Sequence, residues 1–280
     1  MPSSRYLLLT LLAMLAFAGN SLLCRLALRE TALDAASFTG IRLCAGALTL
    51  LLLLQLSPGA RRPAGNWRSA AALFVYAAAF SLAYVQMGAA SGALLLFGAV
   101  QVTMLGAGYL KGERLHGRQW PGLLAALGGI GALLLPGASA PPMGSALLML
   151  LSGIAWALYS LLGRGGGDPL AATAGNFLRA LPFAALLCAV LATRLNADLP
   201  GVIYAVLSGA LASGVGYAIW YSALRGLSAL QAASVQLSVP VFTALGGALF
   251  LAEPLSLRLG LATLAVLGGI ALILGGRRAA

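Results

Sequence analysis

Charged residues are scarce in this sequence, and acidic ones are the scarcest. Charged side chains account for 8% of the 280 residues against 61% hydrophobic residues, and only six are Asp or Glu. Soluble domains carry roughly 25% charged residues, so this composition excludes a water-soluble domain. Apolar runs of about 20 residues recur along the chain, and each is long enough to cross a hydrocarbon core of ~30 Å. We therefore predict an all-α, multi-pass membrane protein.

Residues that perform enzymatic chemistry are also rare. The one histidine, His116, stands in a basic loop, and the cysteines (Cys24, Cys44 and Cys188) lack a metal-binding spacing. A catalytic triad or a zinc site therefore lacks its parts, and we expect no enzyme, no metal and no cofactor. The net charge of +11 is spread over short loops between apolar runs. This distribution is typical of a membrane protein, and no nucleic-acid partner is expected.

The chain contains an internal duplication with an offset of 140 residues. Between 103–134 and 243–274, 13 of 32 positions are identical without a gap, where chance would give on the order of four. Scarce residue types match too, since Glu113 aligns with Glu253. We predict two repeats, 1–137 and 138–280.

Hydrophobic runs predict ten spans. They cover 5–24, 35–56, 68–88, 91–110, 119–135, 143–163, 170–192, 200–222, 228–250 and 257–275. Because each repeat has five spans, the second repeat enters the membrane from the opposite side. The predicted fold is an all-α membrane protein of ten transmembrane helices in two inverted five-helix repeats, as in many secondary transporters.

The first span has a second possible interpretation as a signal peptide. Arg5, an apolar run and Ala16-Phe17-Ala18 resemble such a segment with its cleavage site. The second repeat begins with a comparable span at 143–163, which requires a partner in the first repeat. We therefore interpret residues 1–24 as a membrane helix.

Basic residues predict the orientation. If the N-terminus is cytoplasmic, eleven of the 17 Lys and Arg residues face the cytoplasm, four face outside, and Arg42 and Arg179 remain within spans. The positive-inside rule then places both termini in the cytoplasm.

The two intramembrane arginines are candidate gating or structural residues. A guanidinium within a span needs a partner, so each is a functional candidate by default. One interpretation of Arg42 and Arg179 is recognition of a carboxylate, which arginine can bind in bidentate fashion. The other is a structural contact with backbone carbonyls near a helix end.

The acidic residues all fall at span ends or in loops. Proton-coupled carriers usually place a carboxylate within the bundle, so we predict weak or no obligatory proton coupling through such a group. Glu113 and Glu253, just past the fourth and ninth spans, are either gate partners for nearby arginines or loop anchors. Pro240 is expected to bend the ninth helix, because it removes a backbone hydrogen bond.

Aromatic and polar side chains within the spans predict a substrate site. Tyr76, Phe80 and Tyr84 share one helix face at i, i+4 and i+8. Mid-span aromatics beside Gln or Asn are typical of an apolar cavity with a few orienting polar groups. The predicted substrate-binding residues come from the first, third, fourth, sixth, eighth and ninth spans: Asn20, Tyr76, Phe80, Tyr84, Phe97, Gln101, Trp156, Tyr159, Tyr217, Trp220 and Gln236.

These features together resemble the drug/metabolite transporter superfamily, in particular its EamA-type branch. The resemblance covers essentially the whole chain and includes the ten spans, the inverted repeats, the paired Glu113 and Glu253, the doubled Gly-Gly-Ile and the arginines Arg42 and Arg179. It implies a bacterial inner-membrane exporter of amino acids or related metabolites that works by alternating access. The aromatic amino-acid exporters of the branch are the most similar.

The sequence therefore predicts an exporter of aromatic or apolar amino acids, with the lipid bilayer as its other partner; it does not define an oligomeric state. One alternative is an exporter of drugs or lipophilic cations, which would be expected to use a buried carboxylate. Another is a membrane scaffold without transport.

Overall fold

Ten long helices form the protein in the computed structural model, which describes residues 4–57, 62–110, 112, 117, 119–137, 140–163, 167–227, 232 and 235–276. They are α1 (Ser4–Glu30), α2 (Ala35–Leu56), α3 (Trp67–Tyr84), α4 (Ala89–Leu110), α5 (Gln119–Leu134), α6 (Met143–Leu162), α7 (Pro169–Val190), α8 (Leu199–Leu224), α9 (Ser238–Leu251) and α10 (Leu257–Gly276).

Acidic and amide side chains begin several of these helices. Asp34 accepts hydrogen bonds from the N–H groups of Ala36 and Ser37, and Asn66, Asp168 and Asp198 cap α3, α7 and α8. Such caps satisfy backbone donors that have no partner within the helix. Burial alone would raise the pKa of Asp34, but hydrogen bonds from Ser37, Asn196 and Ala36 outweigh it and hold that pKa below its usual value.

The middle of α8 departs from regular α-helical geometry. Between two α-helical parts, residues Ser208–Val215 form a π-helical segment. The segment packs against α2, where a Cβ added at Gly209 would collide with the carbonyl oxygen of Arg42. Small residues thus allow close approach of the two backbones, and π-helical turns within α-helices often occur at functional sites.

Helix packing follows a two-fold pattern that relates the two halves. If α1 to α5 correspond to α6 to α10, the pairing of α3 with α6 is repeated as α8 with α1, and α4 with α6 as α9 with α1. Three further pairs are related to themselves: α2 with α7, α4 with α9, and α5 with α10. This is the packing expected of two inverted copies around an approximate two-fold axis in the membrane plane.

Contacts between α5 and α10 show the same symmetry at single residues. A Cβ on Gly129 would meet Ala262, Ala265 and Val266, whereas one on Gly269 would meet the positions 140 residues away: Gly122, Ala125 and Ala126. Each contact of one helix is therefore returned by its equivalent on the other. The offset found in the sequence is thus a spatial relation.

Most helices are apolar enough to span a membrane. Six are long apolar spans, and Gln119–Leu134, Ser238–Leu251 and Leu257–Ile273 are shorter apolar helices. Exposed leucines such as Leu264, at 73% exposure, face outward as lipid-contacting side chains do. The predicted ten-helix membrane fold is confirmed. α3 is the least apolar helix because it is enclosed by α1, α2, α4, α6 and α7.

Helix ends agree with the predicted spans within a few residues, except at α1 and α9. α1 continues to Glu30, two turns beyond the predicted end, so its last part carries Arg25 and Arg29. α9 begins at Ser238, because the chain leaves helical hydrogen bonding at Leu237; residues 228–231 and 233–234 lie outside the described part. Pro240 therefore lies in the first turn of α9, where a missing N–H disrupts no helical hydrogen bond.

The close approach of α4 and α6 gives a test of this packing. A Cβ on Gly153 would lie 2.5 Å from the carbonyl oxygen of Leu96. We expect Gly153→Ala to destabilise the protein by about 1–3 kcal/mol, because the two backbones must separate. Gly144→Ala on the same helix, where no atom lies within 4 Å, is the matched control. Melting temperatures in detergent measure both, and an unchanged Gly153→Ala value would contradict the packing.

Candidate functional site

A cavity lies between the two halves, in the region where α1, α3, α4, α6 and α8 meet. Its empty volume is about 430 Å³, part of it continuous with the outside. The lining residues are Phe17, Asn20, Ser21, Tyr76, Phe80, Leu96, Phe97, Trp156, Ala212, Ser213, Tyr217 and Gln236. Both repeats contribute, so any rotation of one half against the other changes the cavity's shape.

Aromatic rings form most of the cavity wall and contact one another across helices. The ring of Trp156 on α6 lies 4.8 Å from that of Tyr76 on α3 and stacks at 5.5 Å on Tyr217 of α8. Phe80 continues the row at 5.6 Å from Tyr76, and Phe17 of α1 meets Tyr217 edge-on at 5.8 Å. Such pairs stabilise the wall and offer flat apolar surfaces to a ligand.

A chain of polar groups crosses the same wall. Ser208 donates to Oδ1 of Asn20 (2.7 Å), and Nδ2 of Asn20 donates to the hydroxyl of Tyr76 (3.4 Å). The same hydroxyl accepts from Nη2 of Arg42 (3.0 Å), whose Nε donates to Ser213 (3.4 Å). Four helices, α1, α2, α3 and α8, are therefore joined by one hydrogen-bonded network.

Arg42 lies directly behind the cavity wall. It is 2% exposed, and its guanidinium carbon lies 5.2 Å and 5.1 Å from the ring centroids of Tyr76 and Phe80. Its Nη1 is buried without a hydrogen-bond partner. No carboxylate of the described residues forms an ion pair with it. The site thus holds a charge whose partners are neutral hydroxyls and aromatic rings.

The structure brings seven of the eleven predicted substrate-binding residues to the cavity: Asn20, Tyr76, Phe80, Phe97, Trp156, Tyr217 and Gln236. The other four are buried nearby but do not line it. Tyr84 donates to the carbonyl of Ala89, and Trp220 packs edge-on against Phe17 at 5.9 Å. Tyr159 contacts Trp156 at 5.5 Å, and Gln101 lies one turn beyond Phe97 on α4.

Sequence reasoning left out several wall residues. Phe17, Ser21, Leu96, Ala212 and Ser213 line the cavity and were not among the predicted set. Phe17 lies three residues before Asn20 and hence on the same helix face, a signal that was available. Ala212 and Ser213 come from the π-helical segment, whose altered register no sequence period indicates.

Arg179 occupies an environment quite different from that of Arg42. Its Nη1 donates to the carbonyl oxygens of Ala64 (2.6 Å) and Gly175 (2.9 Å). Asn176, beside it in sequence, accepts from the N–H of Asn66 (3.0 Å). Together they attach the segment before α3 to α7. This is the geometry of the structural interpretation, a contact with backbone carbonyls.

Glu253 forms an ion-paired cluster with the end of α1. One carboxylate oxygen pairs with Nε of Arg25 (3.1 Å), and the other accepts from the N–H of Ala89 (2.7 Å). Arg25 also donates to the carbonyls of Tyr84 (2.8 Å) and Val85 (3.0 Å). We call these four groups the Arg25–Glu253 latch. It ties the ends of α1, α3 and α9 to the start of α4 on one face.

The backbone after α9 directs Glu253 into the latch. Ala252 adopts a left-handed conformation (φ 50°), an uncommon one for a residue with a Cβ. The turn lets the N–H of Glu253 donate to the carbonyl of Gly247 (3.1 Å). Glu113, its equivalent in the first repeat, lies outside the described residues.

No group of three or more His, Cys, Asp or Glu side chains that could hold a metal ion occurs within the described part of the chain. The five acidic residues in this part all lie at helix ends or in connecting segments: Glu30, Asp34, Asp168, Asp198 and Glu253. The cavity chemistry described above is therefore that of aromatic rings, hydroxyls, amides and one guanidinium.

Comparison with known proteins gives a consistent result. The EamA-like transporter family model matches residues 4–135 and again 143–275. The chain is 70% identical to a Pseudomonas aeruginosa protein described as "Uncharacterized protein PA1977", covering 99% of this chain and 97% of that protein. A structure described as "Crystal structure of protein" is similar in fold, with a TM-score of 0.67 and 20% identity over 99% of this chain and 98% of that chain.

The latch gives a prediction about stability. The side chains of Arg25 and Glu253 are only 11% and 10% exposed, so removing one charge leaves the other nearly buried and unpaired. We expect Glu253→Gln to lower the free energy of unfolding by about 2 kcal/mol. Glu30→Gln is the control, because Glu30 pairs with Arg29 at the surface and is 52% exposed.

Thermal or denaturant unfolding in detergent measures both latch variants. A Glu253→Gln variant as stable as the Glu30→Gln control would contradict a role of the latch in holding the helix ends together.

Proposed function

Because the chain belongs to the EamA-like transporter family, whose members are membrane transporters and not enzymes, we propose that it exports aromatic or apolar amino acids and related metabolites. The proposed location is the bacterial inner membrane, with both termini in the cytoplasm. The family membership gives the class of activity, and the cavity is the observation that supports the substrate class.

The cavity supports an amino acid with an aromatic or apolar side chain. Its volume of about 430 Å³ accommodates a molecule of that size, and Phe17, Phe80, Trp156 and Tyr217 supply apolar surface. A zwitterion needs polar groups at one end only. Asn20, Ser21, Ser213 and Gln236 supply such groups, so the lining combines apolar contact with a few orienting hydrogen bonds.

Alternating access would use the inverted repeats. The cavity lies where the halves meet, so rocking one half against the other would open it to each side in turn. By the positive-inside orientation the Arg25–Glu253 latch lies at the outer face. In this proposal the latch holds the outer face closed, and its separation accompanies opening to the outside.

Export of lipophilic cations is the first alternative, and the charges of the site disfavour it. A cation in the cavity would face the guanidinium of Arg42, and no acidic side chain appears among the described lining residues to compensate it. A non-transporting scaffold is the second alternative; it would have no use for a polar-lined cavity between its halves.

Counterflow of labelled phenylalanine in proteoliposomes tests the proposal. We expect accelerated uptake into vesicles preloaded with unlabelled phenylalanine. Trp156→Ala should lower the rate about tenfold or more, because Trp156 contacts both Tyr76 and Tyr217 in the wall. Trp120→Ala is the matched control, since Trp120 is 51% exposed on α5.

Each alternative has its own outcome in this experiment. Ethidium exchange without phenylalanine exchange would support the cation exporter, and exchange of neither compound would support the scaffold. Equal rates for the Trp156→Ala and Trp120→Ala variants would remove the cavity as the transport site.

A further inference from the structure

We propose that Arg42 makes the cavity a carboxylate-selective site, so that a carboxylate is the obligatory polar group of the substrate and an ammonium group is dispensable. The inference rests on the proposed function, because it defines the substrate class of the same cavity. Its chemical class is a carboxylate attached to an aromatic or apolar body, with amino acids as one subset.

The first observation is an uncompensated buried charge. Arg42 is 2% exposed, and its Nη1 is buried with no hydrogen-bond partner. A guanidinium cannot release its charge by deprotonation. A permanent charge in a low-dielectric interior is costly unless an opposite charge compensates it. The anion that compensates this one does not come from the described residues.

The second observation is that every described carboxylate is already placed elsewhere. Glu253 pairs with Arg25, and Glu30 with Arg29. The remaining three are helix caps: Asp34, Asp168 and Asp198. Partial compensation for Arg42 comes only from the faces of Tyr76 and Phe80 and from hydroxyl oxygens.

The third observation connects the charge to the cavity. The two hydroxyls that accept hydrogen bonds from Arg42 belong to Tyr76 and Ser213, and both residues line the cavity. The oxygen of Tyr76 also accepts from Asn20, so its own hydrogen is available to donate to a ligand. A hydroxyl whose oxygen faces a cation is a stronger donor, because the field of the cation polarises it.

Arg42 is therefore a positioning residue that acts through Tyr76 and Ser213. An anionic oxygen in the cavity gains these donors and the attraction of the nearby guanidinium. An ammonium gains neither, since it meets the same positive field without a carboxylate in the lining. Arg179 offers no comparable site, because its contacts are backbone carbonyls away from the cavity.

Three phenyl compounds of similar size separate the two polar groups. Phenylalanine has both, 3-phenylpropanoate has the carboxylate only, and 2-phenylethylamine has the ammonium only. Binding to the full-length protein in detergent is measured as the ligand-dependent rise in melting temperature, which avoids passive leakage of the ligands across vesicles. We expect phenylalanine and 3-phenylpropanoate to bind, with Kd values at least tenfold lower than that of 2-phenylethylamine.

Variants then assign the selectivity to Arg42. Arg42→Gln should abolish the preference for 3-phenylpropanoate over the amine, and Arg42→Lys should restore most of it. Tyr76→Phe should weaken 3-phenylpropanoate several-fold and leave the amine unchanged. Arg179→Gln is the matched control and should keep the wild-type ratio, since that ratio depends on charge at the cavity rather than on stability.

Equal binding of the amine and the acid to the wild-type protein would overturn the inference, as would an Arg42→Gln protein that binds with the wild-type ratio. If Arg42→Gln does not fold, the double variant Tyr76→Phe, Ser213→Ala provides the test, and an unchanged ratio there overturns the inference too.

The same ligands separate this inference from the proposed function. Phenylalanine counterflow together with equal binding of acid and amine would remove the carboxylate inference alone. Binding of 3-phenylpropanoate without phenylalanine counterflow would support the carboxylate inference and contradict amino-acid export.

Discussion

A polar group inside a lipid bilayer must find its partner within the protein, and this constraint organises the structure. Backbone groups are satisfied by the helices themselves, and their free ends by side-chain caps such as Asp34 and Asp198. The few acidic residues are used at these ends and in the latch. What remains in the interior is a network of hydroxyls and amides around Arg42. The sign of the charge at the cavity follows from where the acids are used.

The second determinant is the duplication of a unit with five spans. An odd number of crossings turns the second copy upside down, so equivalent helices meet across an approximate two-fold axis. The pairs α2–α7, α4–α9 and α5–α10 are related to themselves by this axis. The pairs α3–α6 and α1–α8 carry the aromatic residues of the wall, among them Tyr76, Trp156 and Tyr217. Repeat symmetry thus produces a cavity with walls from both halves.

The fold was predictable from the sequence because its signals lie within single helices. Span length, the offset of 140 residues and the odd number of spans define the ten-helix arrangement before any contact is known. The face shared by Tyr76, Phe80 and Tyr84 was equally evident. The depth along that face was not, since Tyr84 lies eight residues from Tyr76, about 12 Å at 1.5 Å per residue. It therefore contacts Ala89 near the latch instead of the cavity.

Features that depend on contacts between helices were beyond the sequence. The π-helical segment Ser208–Val215 brings Ser213 to Arg42, and no hydrophobic period signals such a change in register. The same limit applies to Arg25, which seemed an orienting surface charge until the longer α1 placed it beside Glu253. Sequence alone likewise gave Arg42 and Arg179 the same two interpretations. Their surroundings differ because one meets hydroxyls across a seam and the other meets carbonyls at a helix end.

The central claim is that the seam between the halves binds the transported molecule, and photo-crosslinking measures this directly. para-Azidophenylalanine, irradiated with the protein in membranes and mapped by peptide mass spectrometry, should label segments of α3, α6 and α8 around Tyr76, Trp156 and Tyr217. Excess unlabelled phenylalanine should suppress that labelling. Labelling confined to the peripheral helices α5 and α10, or labelling that phenylalanine does not suppress, would contradict the account.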